Sequence, residues 1–144
     1  SKTHRLVKNR SHLLLTEQSE DFHKTYTIEQ NFKKIQVPIK LKLGLNNKIK
    51  IADKNIACFN IKLLKFPLTL RKWRERDYFY PKGLNGKKKL SKYFKDEKFS
   101  LLDKEKQWLL CSGEDIIWVV GKRVDERYSI EYNKEDRWII KNYD

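Results

Sequence analysis

The chain has 144 residues and a formal net charge of +14, from 33 Lys plus Arg against 19 Asp plus Glu. A hydrophobic fraction of 39% with 12% aromatics excludes a disordered basic tail, which would be poor in aromatics. No apolar run approaches the roughly 18 residues a membrane span needs, and the length suits one compact domain or two small lobes sharing a core.

In chain order, residues 5–8 and 13–16 flank Asn9-Arg10-Ser11 and read as a hairpin. The basic opening leads into no apolar signal region. Residues 25–29 alternate, with Tyr26 and Ile28 on one face. Residues 37–43 place Ile39, Leu41 and Leu43 on one face and Lys40 and Lys42 on the other, the period-2 pattern of a half-buried strand. A turn at 45–48 and a returning strand at 49–52 follow, then a short strand at 55–59. The segment 65–73 is extended, and Pro67 restricts its start to an edge or a strand entry. Leu68 and Leu70 would face inward, Thr69 and Arg71 outward.

Residues 78–80 form a short aromatic strand ending at Pro81, and Gly83-Leu84-Asn85-Gly86 is a loop by composition. From Lys87 the period changes. Leu90, Tyr93 and Phe94 follow helical spacing and predict a helix of about three turns, with Lys88, Lys89, Lys92 and Lys95 across its solvent side. Residues 100–106 read as a short second helix with Ser100 near its N-cap. Residues 108–111 and 116–120 pair across Ser112-Gly113-Glu114-Asp115. Residues 127–132 and 138–141 pair across Asn133-Lys134-Glu135-Asp136. Strands outnumber helices, so the class is α+β, dominated by antiparallel sheet.

The charge favours a polyanionic partner, nucleic acid before a membrane surface. Nine of the fourteen net charges fall between Lys62 and Lys106, where fifteen basic residues face six acidic ones. The glycine loop 83–86 followed by Lys87, Lys88 and Lys89 offers backbone N–H groups, a helix start and mobile cations to a phosphate. It lacks Walker spacing. It matches the GxxG spacing of KH domains, although a KH fold is mainly helical. The plain alternative is a tight turn with solvated lysines. Arg71, Lys72, Arg74 and Arg76 interleave with Trp73 and precede Tyr78, Phe79 and Tyr80. Such residues can bind phosphates and stack bases, but packing is the commoner use of aromatics.

Asp96-Glu97-Lys98 has the D-x-K order that ends a metal-dependent nuclease motif. No second strand carboxylate accompanies it to hold Mg²⁺, so an exposed helix end is the better reading. His4, His12 and His23 are too scattered for a zinc site or a nucleophilic triad. Cys58 and Cys111 lie in apolar runs and read as two buried free thiols rather than a disulfide.

Leu70-Arg71-x-Trp73-Arg74-x-x-Asp77-x-Phe79-x-Pro81-x-Gly83-x-x-Gly86-x-Lys88-Lys89-Leu90-Ser91-x-x-Phe94-x-Asp96-x-Lys98 resembles the C-terminal domain of the bacterial tRNA(Ile)-lysidine synthase family. Ile117-Trp118-Val119-Val120-Gly121-Lys122-Arg123 and Glu126-Arg127 resemble its second signature. Thr3-His4-Arg5-Leu6-Val7 and Ile56-Ala57-Cys58-Phe59 are similar to the region before that domain. The resemblance implies a division into a β-rich segment, 1–65, and a signature domain, 66–144. It also implies a three-layer, β-sandwich-like fold similar to a domain of the phenylalanyl-tRNA synthetase β subunit.

The family is an ATP-dependent cytoplasmic ligase that converts the wobble cytidine of an isoleucine tRNA to lysidine. Its S-G-G-x-D-S loop, ATP and Mg belong to an N-terminal catalytic domain. That loop is absent here, and the chain opens on Ser with no Met, so it reads as an inactive, cofactor-free piece of a longer enzyme. The implied partners are the isoleucine tRNA for this part, and lysine and ATP for the parent, with no membrane partner. Homo-oligomerisation of the parent stays open. The part would hold the tRNA, most simply its acceptor stem, through Arg71, Arg74, Lys82, Lys87, Lys88, Lys89, Lys92, Arg123 and Arg127. The family's Arg and Pro after the helix are here replaced by Lys104 or Lys106 and Trp108, which removes a bidentate phosphate donor. The alternative role is a structural or gating domain with little RNA affinity of its own.

Overall fold

A computed structural model of the chain describes residues 24–45 and 53–143. The expected strands at 5–8, 13–16 and 49–52, and most of the turn at 45–48, lie outside them. Two antiparallel sheets form the body of the fold. The five-stranded sheet takes β1 (Tyr26–Ile28), β5 (Leu68–Arg71), β8 (Leu109–Ser112), β9 (Asp115–Val119) and β10 (Arg123–Val124), in that spatial order. The four-stranded sheet has the order β2 (Lys34–Ile35), β3 (Leu41–Leu45), β11 (Arg137–Asn142), β4 (Ile56–Asn60). The third layer is a ribbon of β6 (Tyr78–Phe79) and β7 (Lys88–Lys89), with the helices α1 (Leu90–Asp96) and α2 (Leu101–Lys106). The class is therefore α+β and mainly antiparallel, as the strand pattern predicts.

The middle sheet explains the most apolar segments. Leu68, Leu70, Leu110, Ile117 and Trp118 pack with Leu41, Leu43, Phe59 and Ile140 in one core. Leu109, Cys111, Ile116 and Val119 pack with Phe79, Leu90, Tyr93 and Phe94 in a second core. A strand covered on both faces reads as a continuous apolar run rather than an alternation. A bulge leaves Ile117 without a partner, since Leu110 opposes Trp118 and Cys111 opposes Ile116. The extra residue sets Ile117 and Trp118 on the same core, which strict alternation forbids. A second bulge falls at Gly44, skipped between the Leu43–Ile140 and Leu45–Ile139 pairs. Gly44 has φ +63°, and a Cβ there would sit 3.3 Å from Trp138 Nε1; both the conformation and the space favour glycine.

Strands from both sides of the 65/66 division meet in each sheet: β1 pairs with β5, and β11 lies between β3 and β4. This corrects the expected local hairpin of 127–132 with 138–141. Both edges of β11 are occupied by earlier strands, and its Trp138 and Ile140 face the core. Residues 128–130 instead bond the outer edge of β4, with Asn60 N–H to Tyr128 O at 2.9 Å and Ile130 N–H to Cys58 O at 3.1 Å.

The helix expected from Lys87 is shorter than three turns. Lys88 and Lys89 pair with Phe79 and Tyr78 in the ribbon, so α1 begins at Leu90 and runs seven residues, about two turns. Leu90, Tyr93 and Phe94 are its buried face. It ends in a Schellman motif: Phe99 N–H reaches Phe94 O and Lys98 N–H reaches Lys95 O, and the Phe94 and Phe99 rings stack at 4.6 Å. Lys98 takes the left-handed position, φ 60°. Helix α2 carries a capping box, with Ser100 accepting from Asp103 N–H and the Asp103 carboxylate accepting from Ser100 N–H. Cys58 and Cys111 are buried free thiols. Burial pushes the Cys111 thiol up to about 11 despite the nearby Arg71.

Candidate nucleic-acid interface

The loop 81–87 is built onto the middle sheet by a short set of bonds. Lys82 N–H donates to Val124 O at 2.9 Å and Glu126 N–H to Tyr80 O at 2.7 Å. Arg123 Nη1 donates to Lys82 O at 2.9 Å. Gly83 and Gly86 have φ +89° and +86°, positions a side chain would strain. Because β7 intervenes, the loop does not open directly onto a helix start, which corrects the expected phosphate cradle. What it presents is side-chain charge.

The nine expected phosphate-binding residues divide into two groups. Arg71, expected to point outward, is buried, and its fork clasps Asp77 through Nη1–Oδ2 at 2.9 Å and Nη2–Oδ1 at 3.0 Å. Burial works against the Arg71 charge, yet Asp77 beside it more than compensates and raises its pKa. Arg127 clasps Asp125 in the same way, with Nε–Oδ1 at 3.1 Å and Nη2–Oδ2 at 3.0 Å, and its guanidinium lies 4.2 Å from the Tyr80 ring centre. Its pKa is also raised, Asp125 outweighing burial. Lys88, expected on the solvent side of a helix, is half-buried and pairs with Asp96 at 2.7 Å. Arg123 is held by Lys82 O and faces the Tyr93 hydroxyl.

The other group is Arg74, Lys82, Lys87, Lys89 and Lys92, all exposed. Lys92 sits 3.7 Å from Asp96 across one helical turn. No carboxylate among the described residues pairs with the side chains of the other four. Lys87 Nζ lies 4.1 Å over the Tyr78 ring, and Tyr78 meets Tyr80 edge-on at 6.3 Å. The result is a row of Lys87, Tyr78, Tyr80 and Arg127, two rings flanked by a cation at each end. Of the neighbouring aromatics, Phe79 is core and Trp73 packs edge-on against Phe94 at 5.4 Å. Only Tyr78 and Tyr80 remain for stacking on this face.

Sequence reasoning missed the two carboxylates that organise the site. Asp77 accepts from the Arg71 fork and from Arg74 N–H at 2.6 Å. Asp125 is fully buried and accepts from Tyr80 N–H, Arg127 N–H and the Arg127 fork. The one local signal was the Asp125-x-Arg127 order, an Asx-turn spacing. Among the described residues, no group of three His, Cys, Asp or Glu side chains is placed to hold a metal, and no helix is long and apolar enough to cross a membrane.

Residues 68–141 match the family model described as the TilS substrate C-terminal domain. The chain is 41% identical to a tRNA(Ile)-lysidine synthase of Parabacteroides distasonis over 99% of its own length and 33% of that relative. It is 47% identical to one of Bacteroides thetaiotaomicron over 55% of its length and 18% of the relative. A solved structure titled as a TILS C-terminal domain superposes with a TM-score of 0.65 at 21% identity, covering 84% of this chain and 99% of that one, which shows a shared fold. The chain thus spans at most about a third of the curated relatives it matches. The chain belongs to the TilS substrate C-terminal domain family.

Proposed function

We propose that this chain is the non-catalytic, tRNA-holding part of a cytoplasmic tRNA(Ile)-lysidine synthase, and that it grips the acceptor stem of the isoleucine tRNA. The parent reaction, ATP activation of the wobble cytidine and attack by lysine, belongs to residues outside this chain, as do ATP and Mg. The observation that carries the reading is the separation of charges. Five exposed cations, Arg74, Lys82, Lys87, Lys89 and Lys92, stand on a loop, ribbon and helix fixed by Arg71, Lys88, Arg123 and Arg127. An A-form stem hides its base edges in a deep, narrow major groove, so recognition falls on phosphates, 2′-hydroxyls and shape. Preplaced cations suit that task.

Neutralising about five phosphates predicts a slope of log K against log salt near −4. Titrating the chain with the isoleucine tRNA at several salt concentrations tests this. Salt-dependent binding with that slope supports the reading; a slope near zero contradicts it. A second reading, packing on a catalytic domain, is favoured by Leu101 and Leu102, 61% and 51% exposed at the start of α2. Loss of full-length activity in L101S/L102S at unchanged tRNA affinity would favour that role.

A further inference from the structure

Strand β4, with the segment 129–133 along its outer edge, and strand β10 both lie near Lys82. Between them lies a cleft of about 610 Å³, within the range of small-ligand sites. Lys54, Lys82 and Arg123 line it against the carboxylates of Asp53 and Glu131, which leaves one cation in excess; Lys122 borders it but turns its ammonium to Gln107 Oε1 at 3.1 Å. Tyr132, 43% exposed, and Asn133 form part of its wall. The cleft adjoins the candidate interface directly, because Lys82 belongs to both.

We propose that this cleft takes a single-stranded ribonucleotide extending from the duplex held on the adjacent loop, a step that rests on the RNA-binding reading above. The chemistry is specific to an unpaired nucleotide. An aromatic ring offers a stacking platform that any base can use. A carboxamide offers both a donor and an acceptor to a base edge, which a paired base would not expose. The Lys54 and Lys82 ammonium groups at the mouth meet the backbone phosphate. A volume of about 610 Å³ suits a ligand of nucleotide size rather than a duplex.

The test uses the 144-residue chain and two RNA hairpins, one blunt and one carrying a short unpaired extension on its 3′ strand. The extension is expected to tighten binding about tenfold, the effect of one stacked base. Tyr132→Ala is expected to abolish that gain while leaving affinity for the blunt hairpin unchanged. Tyr132→Phe, which keeps the ring, restores it. Asn133→Ala reduces the gain several-fold. If the blunt hairpin binds and the extension adds nothing, or if Tyr132→Ala keeps the whole gain, the cleft is not a nucleotide site although the duplex reading stands. If neither hairpin binds, the RNA-binding reading itself fails. A free mononucleotide at the same concentration is expected to displace nothing, since it lacks the tether of the duplex. Displacement by it would make the cleft a free-nucleotide site and overturn the assignment.

Discussion

Arg71 and Lys89 carry the same charge and lie within one signature stretch, yet the fold uses them in opposite ways. Arg71 and Arg127 are locked to Asp77 and Asp125 by two-pronged bonds at 2.9–3.1 Å, and Asp77 and Asp125 also hold backbone N–H groups of the segments that lead into and out of the ribbon. Lys82, Lys87 and Lys89 stand on the surface with no carboxylate partner among the described residues. The guanidinium fork suits the first task, since it satisfies both carboxylate oxygens in fixed geometry, and the flexible ammonium suits the second. A net charge therefore overstates a binding surface. Part of it is neutralised to build the platform on which the rest is displayed.

The comparison breaks most visibly at Asp125. Asp125→Ala would leave the Tyr80 and Arg127 backbone N–H groups without the buried acceptor that holds them and release the solvent-exposed Arg127 fork, and should cost about 1–3 kcal/mol in urea unfolding. By contrast, Lys82→Ala, Lys87→Ala and Lys89→Ala should each move stability by no more than about 0.5 kcal/mol. Equal losses in the two groups would erase the distinction.

A smaller effect is expected beside the interface, at the start of α2. Ser100→Ala removes the N-cap acceptor and should cost about 1 kcal/mol. Hydrogen bonds from Ser100, the backbone N–H first, hold the Asp103 carboxyl below its ordinary value of 3.8. A depressed carboxylate adds stability above its unfolded pKa and loses it as pH falls through the folded one. The Asp103 contribution should therefore be intact at neutral pH and fade below about pH 4, and Asp103→Asn should flatten that acid limb of the stability profile. The smallest effect is a gain. Lys98→Gly relieves the left-handed position after α1 and should add up to about 1 kcal/mol with little change in RNA affinity, since Lys98 lies outside the proposed RNA-binding residues.

Much of the fold was legible because periodicity reports which side of a segment is apolar. The alternation at Leu41 and Leu43, the unbroken runs of β8 and β9, and Ser100 as a cap all follow from local pattern. What was illegible depends on partners distant in sequence. Lys88 and Lys89 fit a helix by spacing, but their ribbon bonds to Tyr78 and Phe79 decide otherwise. Segment 127–132 looked like the mate of β11, but β3 and β4 occupy both its edges. The candidate site was legible as a region and not as a set of roles. An arginine reads the same whether it meets phosphate or a carboxylate six residues on, and only the fold shows that Arg71 has committed its fork to Asp77.

The most direct test of this division of labour is the salt dependence of binding to an acceptor-stem hairpin by three proteins: the unaltered chain, the combined Lys82→Ala, Lys87→Ala and Lys89→Ala variant, and Arg71→Lys. The triple variant should keep its unfolding midpoint while the slope of log K against log salt becomes shallower by about 3, one for each phosphate no longer neutralised. Arg71→Lys should lower stability and leave the slope of the folded protein unchanged. A triple variant with an unchanged slope, or an Arg71→Lys slope as shallow as that of the triple variant, would contradict the account.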